Sequence, residues 1–272
     1  MGWDYATFGA SDGVPRHQVD PSRSVKDLQA ALQVVIQHAT QLGVDKTRIA
    51  LWGTSLGGGH VLVTASKLLH SPPIKAIVAQ VPALASGLES VVGTIWASPK
   101  TGFAGLGYFV LAILRYGIEL VFTNGKPWYI PIVGIPGSAS LMQNPGDLLG
   151  YLSLTPSDGG KYGWKNAVPV MSGLRLLLYR PLSHALSAIP VPTLLVAAAQ
   201  DTLGPVLYAR QAAAKIPKAN LVVLADAGHF DVYHGYVLEQ VLSTTVTFLQ
   251  KHLGLPARVY DGETSQNPVV ED

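Results

Sequence analysis

A chain of 272 residues with 48% hydrophobic and 13% charged side chains can bury one substantial core plus an inserted subdomain, and one domain is the default. Its formal charge of +2 comes from dispersed Lys and Arg, with no basic block or aromatic-interleaved stripe of the kind that tracks nucleic acid, so nucleic acid is not an expected partner. The lack of cysteine excludes disulfides, thiolate catalysis and cysteine-ligated zinc and leaves the redox compartment open.

The first residues, Met1-Gly2-Trp3-Asp4-Tyr5, carry neither a basic n-region nor an apolar h-region; no secretory signal is read, and a cytoplasmic location is the default. Val25 to Leu42 is apolar at helical spacing. Ile49 to Trp52 is a short apolar run without helical punctuation, as expected for a central parallel strand buried on both faces. It leads into Gly53-Thr54-Ser55-Leu56-Gly57, after which Val61 to Leu69 continue at helix-compatible spacing until Ser71-Pro72-Pro73. Strand, glycine turn and helix in that order make a nucleophile elbow, which holds Ser55 on a strained turn with its hydroxyl exposed. Gly53 and Gly57 are expected to let strand and helix approach, so that bulk at either closes the turn. A bare Gly-x-Ser-x-Gly also arises as a structural turn in a chain with 28 glycines; here the flanks favour the elbow.

Ile74 to Gln80, Pro192 to Ala199 and Asn220 to Leu224 share the buried parallel-strand look, and helical patterns at Leu207 to Ile216 and Tyr236 to His252 follow the later strands. Alternating strand and helix predicts an α/β fold, a mainly parallel sheet with helices on both faces. Between Val81 and about Ser187 the pattern breaks into apolar helices punctuated by proline and glycine, including Tyr129 to Gly137. The expected organisation is a core of residues 1–80 and 188–253, an inserted helical cap at 81–187, and a flexible polar tail at 254–272. Phe103 to Phe122 is about as long as a membrane span, but Arg115 and Glu119 lie inside it. An amphipathic cap helix with both charges on its wet face is favoured over a spanning segment, and peripheral contact with lipid stays open.

An elbow serine needs a base and an orienting acid on loops past later strand ends, in the order serine, acid, histidine. Asp201 opens Asp-Thr-Leu-Gly-Pro after Thr193 to Ala199, and His229 stands in Asp-Ala-Gly-His-Phe-Asp after Leu221 to Leu224. His229 can take the proton of Ser55 as it attacks a carbonyl carbon, with Asp201 fixing the imidazole tautomer. Asp201 could instead cap the next helix, with Asp226 and Asp231 as reserve acids. His229, Asp231 and His234 have no recognised metal-ligand spacing. His60, inside the helix after the elbow, reads as a packing or hydrogen-bonding residue. His17, His38, His70, His184 and His252 have no motif around them.

With these marks the chain resembles the alpha/beta-hydrolase superfamily, within it capped serine hydrolases related to dienelactone hydrolases and serine peptidases or esterases. The resemblance runs over nearly the whole chain and rests on Asp4-Tyr5 with Phe8-Gly9-Ala10-Ser11-Asp12-Gly13, Trp52 to His60, Asp201-Thr202-Leu203 and Gly228 to Tyr233. It implies a triad of Ser55, Asp201 and His229, with the Leu56 backbone amide as one oxyanion donor. It also implies a departure: members begin with three further strands, whose last loop gives the second oxyanion amide. Those amino-terminal strands are missing here, which should leave Ile49 to Trp52 on an exposed edge and lower activity 100- to 1000-fold. A second copy of the chain is one way to cover such an edge.

The expected function is a cofactor-independent serine hydrolase, esterase-like, cleaving an ester, thioester or amide of an apolar acyl substrate through an acyl-enzyme. Phe103, Leu106, Phe109, Val110, Ile113, Ile118 and Trp128 are candidates to line the acyl pocket. The alternative is a truncated, non-catalytic relative serving as a binding or interaction module. Dehalogenase or epoxide-hydrolase chemistry needs a carboxylate at the elbow, against which Ser55 speaks; perhydrolysis uses the same triad and stays open.

Overall fold

A computed structural model describes residues 1–68, 74–97, 99–122, 126–155 and 163–256. The expected tail beyond 256 and the helix stop at Ser71-Pro72-Pro73 lie outside them.

Four strands, β1 (Ile49–Thr54), β2 (Ile74–Gln80), β5 (Thr193–Ala198) and β6 (Ala219–Leu224), form one parallel sheet in the order β1-β2-β5-β6. The pleat sorts their side chains. Leu51, Ile77, Ala79 and Leu195 pack with Leu28 and Leu32 of α1 (Pro21–Gln37), Val61, Leu62 and Ala65 of α2 (Leu56–Lys67) and Ala212 of α7 (Val206–Lys215). The alternate residues Ala76, Val78, Leu194 and Val196 meet Val241 and Phe248 of α8 (Gly235–Leu253) on the other face. That period-2 division over two helical layers is what a doubly covered parallel sheet requires.

Local chemistry sets the ends of the elements. The helix expected from Val25 begins at Pro21, because the Asp20 side chain accepts a hydrogen bond from the Arg23 amide and Pro21 sits in the first turn. Asp20 also pairs with Arg175 at 2.7 Å, which ties this end to α6 (Met171–Leu177). Against the pattern-based reading of Ile49 to Trp52 as a central strand, β1 lies at an edge of the sheet: among the described residues only β2 pairs with it, and Trp52 is half exposed.

The 81–187 interval, between β2 and β5, carries α3 (Gly87–Ala97), α4 (Pro99–Phe122), α5 (Asp147–Leu152) and α6. Tyr129–Ile130, expected within an apolar helical stretch, instead forms strand β3, antiparallel to β4 (Val168–Pro169). Two prolines and two glycines within Pro131 to Gly137 leave too few backbone donors and too much freedom for a helix. Ile130, Val168, Val170 and Ala112 form a small cluster of their own, packed by Ile113 and Trp128. Arg115 lies over the Trp128 ring, 4.1 Å from its centroid; the Glu119 side chain lies outside the described residues. The outer surface of α3 and α4 is apolar, with Trp96 at 82%, Phe103 at 62% and Leu111 at 61% exposure. No described helix is long and apolar enough to cross a membrane.

Candidate active site

β1 delivers Ser55 to the carboxyl end of the sheet and α2 starts at the next residue. Ser55 has φ 52° and ψ −121°, a conformation that costs a residue with a Cβ about 1–3 kcal/mol. Neighbouring backbone holds it there: Ser55 N–H donates to the Gln80 carbonyl at 2.9 Å, and its own carbonyl accepts from Ala83 at 2.9 Å and Gly58 at 3.0 Å. The glycines around it have unequal roles. A methyl at Gly53 would meet the Gly57 carbonyl carbon at 2.6 Å and the Gly58 nitrogen at 3.0 Å, with the Gly57 oxygen closer still, whereas one at Gly57 would meet nothing within 4 Å. The expectation that bulk at Gly57 closes the turn is therefore corrected. The close approaches on α2 are at Gly58, against Pro82, and Gly59, against the Ala83 carbonyl.

Three distant stretches converge at this point. His229 Nε2 lies 2.9 Å from Ser55 Oγ, and His229 Nδ1 lies 2.8 Å from Asp201 Oδ2. The second carboxylate oxygen of Asp201 accepts from the Leu203 and Gly204 amides at 2.8 and 2.6 Å. Asp201 thus closes its own turn and caps no helix; the residue ahead of α7 is Pro205. His229 and Asp201 are 7% and 5% exposed, so their hydrogen bond is shielded from water and gains strength from the low local dielectric. With Nδ1 facing a carboxylate, the donor position is fixed there, leaving Nε2 as the acceptor toward the serine hydroxyl. The Leu56 amide sits beside Ser55 at the positive end of α2.

The other candidates have other occupations. Asp231 accepts from the Gly228 amide at 2.7 Å. His234 Nε2 lies 3.0 Å from Ser153 Oγ, and among the described residues no group of three potential metal ligands gathers. His60 is buried with its Nδ1 2.8 Å from the Tyr179 hydroxyl; burial pushes its pKa down to about 4 and that of the Tyr179 phenol up.

A cavity of about 490 Å³ opens on Ser55 and Leu56, walled by Phe8, Leu106, Leu141 and Leu177, with Gln143 and Tyr151 among its polar groups. Of the side chains expected to line an acyl pocket, Leu106 does so. Phe103 and Val110 face outward, Ile113 and Trp128 belong to the separate cluster, and Phe109 and Ile118 lie outside the described side chains. Gly105 presses against the Gln143 carboxamide, where a methyl would lie 2.5 Å from its carbon, which sets α4 directly on that wall.

Sequence reasoning did not single out Asp147. It is 3% exposed at the start of α5, and burial pushes its pKa up to about 6. The Asn-Pro-Gly run at 144–146 signals a turn but not the burial of the acid after it.

A model of the alpha/beta hydrolase family matches residues 3–240. The chain belongs to the alpha/beta hydrolase family. Among its relatives is the quorum-quenching protein AidA of Acinetobacter baumannii, 30% identical over 250 residues that cover 92% of this chain and 75% of that protein. A polyketide transferase of Aspergillus fumigatus is 27% identical over 261 residues, 92% of this chain and 79% of the relative. Among solved structures, DcsB in complex with its substrate analogue superposes with a TM-score of 0.68 at 21% identity, over 92% of this chain and 79% of that one; this likeness speaks to the fold.

Proposed function

We propose that this alpha/beta hydrolase is a serine hydrolase that cleaves an ester, thioester or amide of an apolar acyl substrate. The observation that carries the reading is the unbroken line from Ser55 Oγ through the His229 ring to Asp201, at 2.9 and 2.8 Å. Ser55 Oγ adds to the carbonyl carbon while its proton passes to His229 Nε2. The carbonyl oxygen takes up the negative charge beside the Leu56 amide. Collapse of the tetrahedral intermediate expels the alcohol, thiol or amine, which leaves with the proton from His229, and water repeats the sequence to free the acid. Asp201 accepts the hydrogen bond from His229 Nδ1–H throughout and offsets the imidazolium charge. The mostly apolar cavity above Ser55 supports an acyl group of low polarity. The 81–187 segment acts as a cap that supplies its roof. Acyl transfer to an acceptor other than water shares the first half-reaction, and the likeness to a polyketide transferase is the observation that favours testing it.

A fluorophosphonate probe tests the chemistry, since its phosphorus takes the place of the carbonyl carbon and fluoride leaves as Ser55 Oγ bonds to it. Folded protein is expected to be labelled at Ser55 and the Ser55→Ala variant to remain unlabelled. Folded wild-type protein that stays unlabelled would remove the catalytic reading and leave the binding-module alternative.

A further inference from the structure

Gln143 is a polar group held in the wall of the cavity that opens on Ser55, and the triad chemistry has no use for it. Its backbone is fixed from both sides. The Leu141 and Met142 amides donate to the Pro131 and Ile132 carbonyls at 3.2 and 2.9 Å, and the Met142 carbonyl accepts from Gly134 at 3.0 Å. On the far side the Asn144 amide donates to the Asp147 carboxylate at 2.8 Å. The side chain is held as well: the Gly137 amide donates to Gln143 Oε1 at 3.0 Å. An amide N–H needs an acceptor, so the atom it meets is the carbonyl oxygen, and the other end of the carboxamide is the NH2 with its two donors. Gly105 of α4 stands against the same group in the cavity wall, where a methyl would lie 2.5 Å from the carboxamide carbon. Glycine at this point of the helix is what leaves the carboxamide its seat. Around it the wall is mostly apolar, with Phe8, Leu106, Leu141 and Leu177. Of the other polar side chains there, Thr54 is bonded to Tyr233, Tyr179 to His60 and Tyr151 to Trp164.

We infer that Gln143 is a specificity-determining residue: its NH2 donates to an oxygen within the acyl group, so the substrate carries a carbonyl or hydroxyl part-way along an otherwise apolar chain. The inference rests on the serine-hydrolase reading of the site and names the substrate class within it. A plain alkyl chain lying along this wall takes water from the NH2 and puts no acceptor in its place, whereas a chain oxygen at the same depth restores the hydrogen bond. Because backbone, Oε1 and the Gly105 face already hold the carboxamide, binding costs it little rotamer freedom. A purely structural Gln143 would hold the Gly137 turn and nothing more, and its loss would then affect every acyl chain alike. The ratio between two chains of equal length, one with an inner ketone and one without, therefore separates the two roles.

The experiment is kcat/KM for p-nitrophenyl octanoate and for the p-nitrophenyl oxo-octanoates that bear a ketone at one inner carbon after another, with the uncatalysed rates subtracted. Wild type, Gln143→Met and Gly105→Ala are compared, each checked for folding by thermal melt, with fluorophosphonate labelling of Ser55 measured on wild type. At least one keto ester is expected to exceed the plain octanoate in wild type by about 3- to 10-fold, and Gln143→Met to bring that ratio to about one or below, whatever it does to the absolute rates. Gly105→Ala, which pushes the carboxamide off its seat, should lower the ratio too, and it decides the matter if Gln143→Met does not fold. Wild type that prefers no keto ester overturns the inference, and so does a preference that survives the deciding variant; in both cases hydrolysis of the esters leaves the serine-hydrolase reading standing. Wild type that is labelled at Ser55 yet hydrolyses none of these esters also overturns it. Wild type neither labelled nor active removes the reading beneath it.

Discussion

Gly53→Ala and Gly57→Ala differ by one position in the same motif, yet the structure gives them opposite outcomes. The methyl of Gly53→Ala lands 2.6 Å from the Gly57 carbonyl carbon and 3.0 Å from the Gly58 nitrogen. Both are backbone atoms of the first turn of α2, so no side-chain rotation relieves the overlap, and strand and helix must separate. Overpacking of this kind costs about 1–3 kcal/mol, which lowers the melting temperature by roughly 2–4 °C per kcal/mol in a chain of this size. A displacement of Ser55 by about 1 Å costs on the order of 100-fold in rate. The methyl of Gly57→Ala meets nothing, and alanine is favoured over glycine in a helix by up to about 1 kcal/mol; stability should hold or rise, with labelling retained. Thermal melts and fluorophosphonate labelling rates of both variants make the comparison. The reasoning is refuted if Gly53→Ala melts and labels like wild type, or if Gly57→Ala is the more damaged of the two.

Asp201→Asn keeps an acceptor for the Leu203 and Gly204 amides but loses hold of the His229 tautomer, so turnover of an activated ester should fall about 10⁴-fold with the melting temperature little changed. Tyr179→Phe leaves the buried His60 Nδ1 without its partner; denaturant unfolding should show a loss of about 1–3 kcal/mol, while Ser55 is still labelled. Stability against pH carries two opposed contributions. His60 has a folded pKa of about 4 against 6.5, so the unfolded chain binds more protons between those values and stability falls as pH drops through them, by up to about 3 kcal/mol. Asp147, raised to about 6 from 3.8, binds its proton more readily in the folded chain, so stability rises as pH drops from 6 toward 3.8. Urea unfolding at stepped pH should therefore show a shallow wild-type slope, a rise toward acid in His60→Gln and a steeper fall in Asp147→Asn; parallel curves for all three would refute the assignment.

The parts of the fold that sequence makes legible are those governed by local pattern. β2, β5 and β6 fall where apolar runs place them, and α7 and α8 begin within a residue of their periodic stretches. Ser55, Asp201 and His229 could be singled out because each stands just past a strand end, and the structure brings all three together. What stayed hidden depends on partners far along the chain. That Gly58 and Gly59 are the crowded glycines of α2 is decided by Pro82 and the Ala83 carbonyl packing on them. The partner of His60 is 119 residues away, and the burial of Asp147 has no mark in the residues next to it. Of the apolar residues in α4, only contacts from other elements separate Leu106 in the cavity wall from Phe103 on the outer surface.

That last division has a practical outcome. One turn of α4 shows Phe103 to water and Gly102, Gly105 and Leu106 to the cavity. On the inner side Gly105 meets the end of the Gln143 side chain. A detergent micelle or a hydrophobic resin that grips the outer aromatics holds the same helix that lines the cavity, so detergent belongs among the controlled variables of any kinetic measurement on this protein.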